Sequence, residues 1–180
     1  MTSVLAKLGV PKTQFLQQKP GLAVMSLATL QIMAAGLQPQ HGIEFHFLGQ
    51  AKGKKIIALE TIEQQLKLII NMPGAEKALH HALEQMSDLK GYMSKLLNLW
   101  KTGDEEGLHQ FLIEEPLAEH PDYAQFFEKI FFERNEGMVK NIEKLSQGKT
   151  HFVVVGAGHL IGEKGVVTLL KEKGYKINRI

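Results

Sequence analysis

Thr150-His-Phe-Val-Val-Val-Gly-Ala-Gly-His-Leu-Ile-Gly162 decides how this chain is read. Phe152 to Val155 is a short β-branched run, too apolar for a solvated strand, and Gly156 and Gly158 let the backbone turn sharply after it. The run predicts a strand over His151–Val155 with His159 projecting from its C-terminal end, where open α/β sheets keep their chemistry. A dinucleotide-binding loop is the competing reading of Gly156-x-Gly158. Its third glycine would fall at Ile161, and almost no chain follows to carry the ribose-binding acid expected about 20 residues on.

Downstream, a helix over 163–173 ended by Gly174 and a strand over Tyr175–Arg179 complete a strand, helix and strand crossover, right-handed with parallel strands. Upstream, a short amphipathic helix opened by Gly42 runs through Ala51 to the turn Gly53-Lys54, and Lys55–Leu59 then reads as another strand. Thr61 and Gln64 have the spacing of a capping box, so a helix starts there and runs toward Asn71-Met72-Pro73. Glu60 is left at a strand-to-helix corner. The strands at 55–59 and 151–155 are expected to lie side by side and parallel, with Glu60 and His159 at one edge of the sheet.

The rest of the chain reads as helical, with breaks at Pro11, Pro20 and Pro39 in its first third. Leu79, Ala82, Met86, Leu89, Met93, Leu96 and Trp100 alternate spacings of three and four, the seam of two packed helices. The expected partner lies over 121–145, where Phe127, Ile130, Phe131, Met138, Ile142 and Leu145 recur at helical spacing, and Gly103, Gly107 and Pro116 mark the connection. The architecture predicted is one α/β domain over 1–180, predominantly helical, with a small parallel sheet and a long helical hairpin arm over 73–147.

Composition narrows the function. With 180 residues, 44% of them hydrophobic, the chain can bury one core, and a net charge of +2 with interspersed signs lacks the basic stripe of a nucleic-acid binder. No cysteine is present, so thiolate metal sites, disulfides and cysteine nucleophiles are excluded together. Leu22–Ala35 is apolar but interrupted by Ser26, Thr29 and Gln31 and short of the roughly 20 residues of a membrane span. Its distance from Met1 also argues against a cleaved signal peptide, and no targeting signal is recognised.

Three residues are placed to carry chemistry. Arg134, one of two arginines, sits in the apolar stripe of its helix near Ile130, Phe131 and Met138, where a guanidinium must find a partner. It reads equally as a structural ion pair or as a clamp for a carboxylate or oxyanion facing the crevice of His159. Glu60 at a helix start is favoured by the macrodipole without any catalytic duty, yet the end of a strand is also where an α/β enzyme places a general base or metal ligand. His80, His81 and Glu84 have helical metal-ligand spacing but belong to a surface helix, and His41, His46, His109, His120 and His151 have no better context. Signatures of zincins, serine hydrolases and phosphate loops are missing.

Taken together, Gly42-Ile-Glu-Phe-His-Phe-Leu48, Ala58-Leu-Glu-Thr61 with Gln65, Glu133-Arg-Asn135 and Val155-Gly-Ala-Gly-His-Leu160 followed by Gly174-Tyr175 resemble the TraB/GumN family, which includes PrgY pheromone-shutdown proteins and Tiki metalloproteases. The resemblance implies an α/β domain with a helical insertion and, for the Tiki branch, a metal-dependent peptidase using paired Gly-x-x-His motifs. Gly156 to His159 is the second of these. Glu44 stands where the family usually has aspartate, and no first Gly-x-x-His occurs upstream, so the chain looks like the C-terminal portion of the family domain, without its N-terminal strands. On this basis Glu60, Arg134 and His159 are the candidate catalytic residues, and His159 and Glu60 the candidate ligands of a divalent metal such as zinc, manganese or cobalt. A peptide or protein substrate is implied. A homodimer or an exchanged segment is expected to cover the sheet edge, and the alternative function is a non-enzymatic peptide-binding or interaction module.

Overall fold

A computed structural model describes residues 15, 17–85 and 88–180, and among them no residue is in a strand. The expected parallel sheet is not there, and the α/β class gives way to a mainly helical architecture. The segments over 55–59, 151–155 and 175–179 are all irregular. A strand exists only where a neighbouring backbone closes the ladder. The Leu59 carbonyl instead accepts a hydrogen bond from Asn141 Nδ2 at 2.8 Å, and the His151 ring donates from Nε2 to the Leu145 carbonyl at 2.7 Å. Leu59 and Val155 nonetheless pack on the same buried cluster of Met138, Val139, Ile142 and Val166. Ile56, Ile57, Phe152 and Val153 are exposed, so each segment is anchored by one apolar side chain near its end, and β-branched composition alone built neither a ladder nor a buried run.

The regular elements are α1 (Pro20–Ala34), α2 (Ile43–Gln50), α3 (Ile62–Ile70), α4 (Ala75–Gln85), α5 (Leu89–Thr102), α6 (Glu105–His109), α7 (Glu115–Glu119), α8 (Ala124–Phe127), α9 (Glu133–Leu145) and α10 (Val166–Glu172). Several boundaries follow from local chemistry. Pro20 occupies the first turn of α1, where its missing N–H costs nothing, and Asp104 caps α6 by accepting from the Gly107 N–H at 2.9 Å. Gly174, at φ +88°, takes the left-handed conformation that closes α10. Two wide π-helical turns, Gln110–Glu114 and Glu128–Phe132, join α6 to α7 and α8 to α9.

The chain divides into two compact units, Met1–Ile57 with Glu63–Lys95, and Ala58–Ile62 with Leu96–Ile180. In the first, α1 packs on α4 through a buried group of Phe15, Ala23 and Leu27 against Leu79, Ala82 and Leu83. Leu79 and Ala82, placed by their spacing in a seam with the helix over 121–145, therefore face α1. Met93 of that seam is buried, Trp100 is half-exposed, and Met86 and the break at Pro11 lie outside the described residues. Gly21 is held where an added Cβ would come within 1.9 Å of the Ile69 carbonyl oxygen. Ala is normally the better helix former, but this overlap with fixed backbone reverses the sign. Gly21→Ala is expected to lower the unfolding free energy by about 1–3 kcal/mol in denaturant titration, and an unchanged or raised midpoint would contradict that approach.

The second unit has two apolar groups. Ile113, Tyr123 and Phe127 are buried among Leu112, Leu117, Phe126, Phe131 and Phe132 where the two wide turns come together. The other is the cluster of α9 and α10 on which Leu59 and Val155 rest. Arg179 binds the Gly103 carbonyl and lies 3.5 Å from Glu105, which fastens the segment read as a last strand without any sheet.

Candidate functional site

The second unit alone supplies the site. α9 contributes Arg134 and Asn135 from its first turn, Glu60 comes from the bend before α3, and His159 ends the short 3-10 turn Ala157–His159. That turn forms because the Gly156 carbonyl accepts from the His159 N–H at 2.9 Å, and because Gly158 has no side chain: a Cβ there would meet the Phe131 ring at 3.0 Å. Downstream, a Cβ at Gly165 would sit 2.4 Å from the Ile161 carbonyl oxygen, so only glycine allows the chain to fold back tightly into α10.

Arg134 grips Glu60 with two parallel hydrogen bonds, Nε to Oε1 at 2.8 Å and Nη2 to Oε2 at 2.7 Å, and its Nη1 donates to the Ile130 carbonyl at 2.9 Å. Both side chains are largely withdrawn from water, 22% and 15% exposed, so this is a desolvated pair rather than a surface one. Its fork geometry is the one a guanidinium offers a carboxylate.

His159 is buried, with Phe131 against its ring at a centroid distance of 5.4 Å. Its Nδ1 lies 2.7 Å from Oδ1 of Asn135, itself only 1% exposed. Burial pushes the imidazole down to about 4 from the usual 6.5; the Arg134 guanidinium adds to this and the Glu60 carboxylate opposes it. The ring is therefore neutral at pH 7.

This shift has a measurable consequence. Because the unfolded chain takes up the proton first, the contribution of His159 is fully present above pH 6.5 and is lost as the pH falls toward about 4. His159→Gln is expected to flatten the decline of unfolding free energy across that window. Parallel pH dependences for the two chains would contradict it.

All three residues singled out from the sequence are thus brought together, though by a different route from the one expected. No sheet edge aligns them: α9 reaches Glu60 through Arg134 and His159 through Asn135. Several of the other histidines are engaged elsewhere. His46 pairs with Gln50 along α2, His120 stacks on Tyr123, and His109 lies 3.1 Å from Glu114 while its ring crowds Gly162, where φ is +77°. Asn135 was missed as a functional residue. A signal existed, since it falls four residues after Phe131 and four before Val139, inside a stripe that buries its members.

A metal centre usually needs three or more protein ligands. Among the described residues no three His, Asp or Glu side chains are grouped to hold an ion, and both oxygens of Glu60 already accept from Arg134. The residues present do not by themselves fit a complete metal site.

Comparison with known proteins gives a family. The sequence model described as the TraB/PrgY/gumN family matches residues 1–179. The pattern thus runs along the chain from end to end and is not confined to the C-terminal portion of the family domain, which corrects the expectation drawn from the missing first Gly-x-x-His. A protein of Amphimedon queenslandica named "Metalloprotease TIKI homolog" is 36% identical over 92 residues, covering 48% of this chain and 15% of that protein. No solved structure matches.

Proposed function

The chain belongs to the TraB/PrgY/gumN family, and from this premise we propose that it carries part of a hydrolase centre of the metal-dependent peptidase type, incomplete as a catalyst by itself. The observation that carries the reading is a buried imidazole bonded to Asn135, the helix neighbour of the arginine that clamps a carboxylate. His159 is the ligand or base, Glu60 the second acidic donor, and Arg134 holds Glu60 in place and offers positive charge to a developing oxyanion. The family membership and the likeness of half the chain to a protein named as a metalloprotease support the class of chemistry.

Zinc, manganese or cobalt is expected to bind weakly at Glu60 and His159, with binding lost in His159→Ala, while peptide turnover stays at background. Equal metal binding by wild type and His159→Ala would remove the site from the proposal. Metal-dependent turnover abolished by His159→Ala would overturn the claim of incompleteness.

A second reading, a peptide-binding or interaction module, is favoured by one feature. Phe152 and Val153 are 74% and 42% exposed on the irregular segment that leads directly to His159. Adjacent exposed apolar side chains offer a surface that a peptide or a second copy of the chain can cover. Sedimentation at micromolar concentration should show self-association, and a strictly monomeric chain would exclude the exchange between copies.

A further inference from the structure

We propose that Asn135 is a positioning residue that fixes His159 as the tautomer protonated on Nδ1, with its Nε2 lone pair presented for chemistry. The inference rests on His159 being the working group of the proposed site. It begins with a carbonyl. The Lys164 oxygen can only accept, and it lies 2.8 Å from Nδ2 of Asn135, so the amino end of the Asn135 amide must face it. The amide oxygen is thereby turned toward His159, where Oδ1 stands 2.7 Å from Nδ1.

An amide oxygen is also an acceptor. If the imidazole carried its proton on Nε2, two lone pairs would oppose each other at hydrogen-bond distance in a buried site, with no water to intervene. With the proton on Nδ1, every buried polar atom of the relay has a complementary partner, as burial requires. The orientation of one side-chain amide thus selects the ring nitrogen that stays basic, as groups bonded to the far nitrogen of a working histidine commonly do.

The relay is anchored at both ends. Asn135 sits in α9, next to the Arg134 that holds Glu60. Lys164 is fixed by its own side chain, whose Nζ lies 3.0 Å from Glu128 and 4.5 Å from the centroid of the Phe132 ring. Both of those residues belong to the wide turn Glu128–Phe132, the turn that also presents Phe131 to His159. One helical segment therefore fixes the carbonyl, the amide and one wall of the imidazole. A role confined to structure would require only that Asn135 be satisfied; it would not require that the histidine tautomer follow the chemistry of residue 135.

The test reads the tautomer directly, without metal or substrate. In long-range proton–nitrogen spectra of the nitrogen-15-labelled full chain near pH 7, His159 should show a protonated Nδ1 and an unprotonated Nε2. Asn135→Asp keeps an acceptor facing Nδ1 but sets its second oxygen against the Lys164 carbonyl, so it should retain the proton on Nδ1 at reduced stability, in spectra recorded high enough in pH for the ring to be neutral. Asn135→Ala, which removes the acceptor, should convert His159 to a mixture in which the Nε2-protonated form is the larger part. A wild-type ring protonated on Nε2, or an Asn135→Ala chain that keeps the wild-type tautomer, would overturn the proposal. Should the Ala variant fail to fold, the wild-type and Asp spectra decide it. A correct tautomer together with zinc binding indifferent to His159→Ala would leave the positioning established and the proposed function refuted, so the two failures are distinguishable.

Discussion

Arg134→Ala is expected to lower the unfolding free energy by about 3 kcal/mol, toward the lower end of the cost of breaking a buried ion pair. The effect arises less from the two lost hydrogen bonds than from the partner left behind. Glu60 is 15% exposed and is held by the fork of Arg134 on both oxygens. Without that fork its charge remains in a poorly solvated place. Removing the charge as well should recover part of the loss, so the double variant Arg134→Ala, Glu60→Gln should be more stable than Arg134→Ala alone. Arg134→Lys should fall between wild type and Ala, since an ammonium supplies charge without the planar fork. Denaturant titration of these four chains tests the order, and adding the Glu60→Gln single variant gives the coupling. A change below about 0.5 kcal/mol for Arg134→Ala would place the pair with ordinary surface bridges.

Phe127→Ala should be at least as costly, about 3–5 kcal/mol for deletion of a buried ring. Phe127 is 5% exposed, lies against Ile113 and Tyr123, and stacks on Phe131 at 5.9 Å with an angle of 17° between the rings. Phe131 in turn walls His159, so the cavity opens one ring away from the imidazole. The expected signature is a large loss of stability together with altered resonances of His159. Phe127→Leu, which refills most of the space, should recover much of the stability. A Phe127→Ala chain as stable as wild type would show that the aromatic group is not a cohesive core.

The helix from 121 to 145 shows how far periodicity carries. Its limits and its apolar stripe follow from Pro121, the recurring phenylalanines and the glycine beyond Leu145, and the structure has helical elements over that span. The wide turn within it was not legible. A local shift from four to five residues between bonded groups adds about one residue to the stripe, which a rule that accepts spacings of three and four does not register. That shift nonetheless sets which side chains meet Gly158 and His159.

By itself the sequence determined the short-range features: where helices start and stop, which segments are apolar enough to be buried, and which few polar residues lie in apolar surroundings and so need partners. Arg134 was identifiable for that reason, whereas Glu60 and His159 were singled out by the ends of strands that did not form and by the family resemblance. The tertiary structure decided who the partners are. Arg134 and Glu60 stand 74 positions apart, and nothing in local spacing states that they meet. The same limit explains the sheet that was expected over 55–59 and 151–155. Apolar, β-branched composition is compatible with a strand but does not make one: Leu59 and Val155 rest on one cluster while Ile56, Ile57, Phe152 and Val153 stay exposed, and a ladder needs another backbone at hydrogen-bonding distance. Apolar character is written in the residues themselves; burial and pairing are properties of two segments at once.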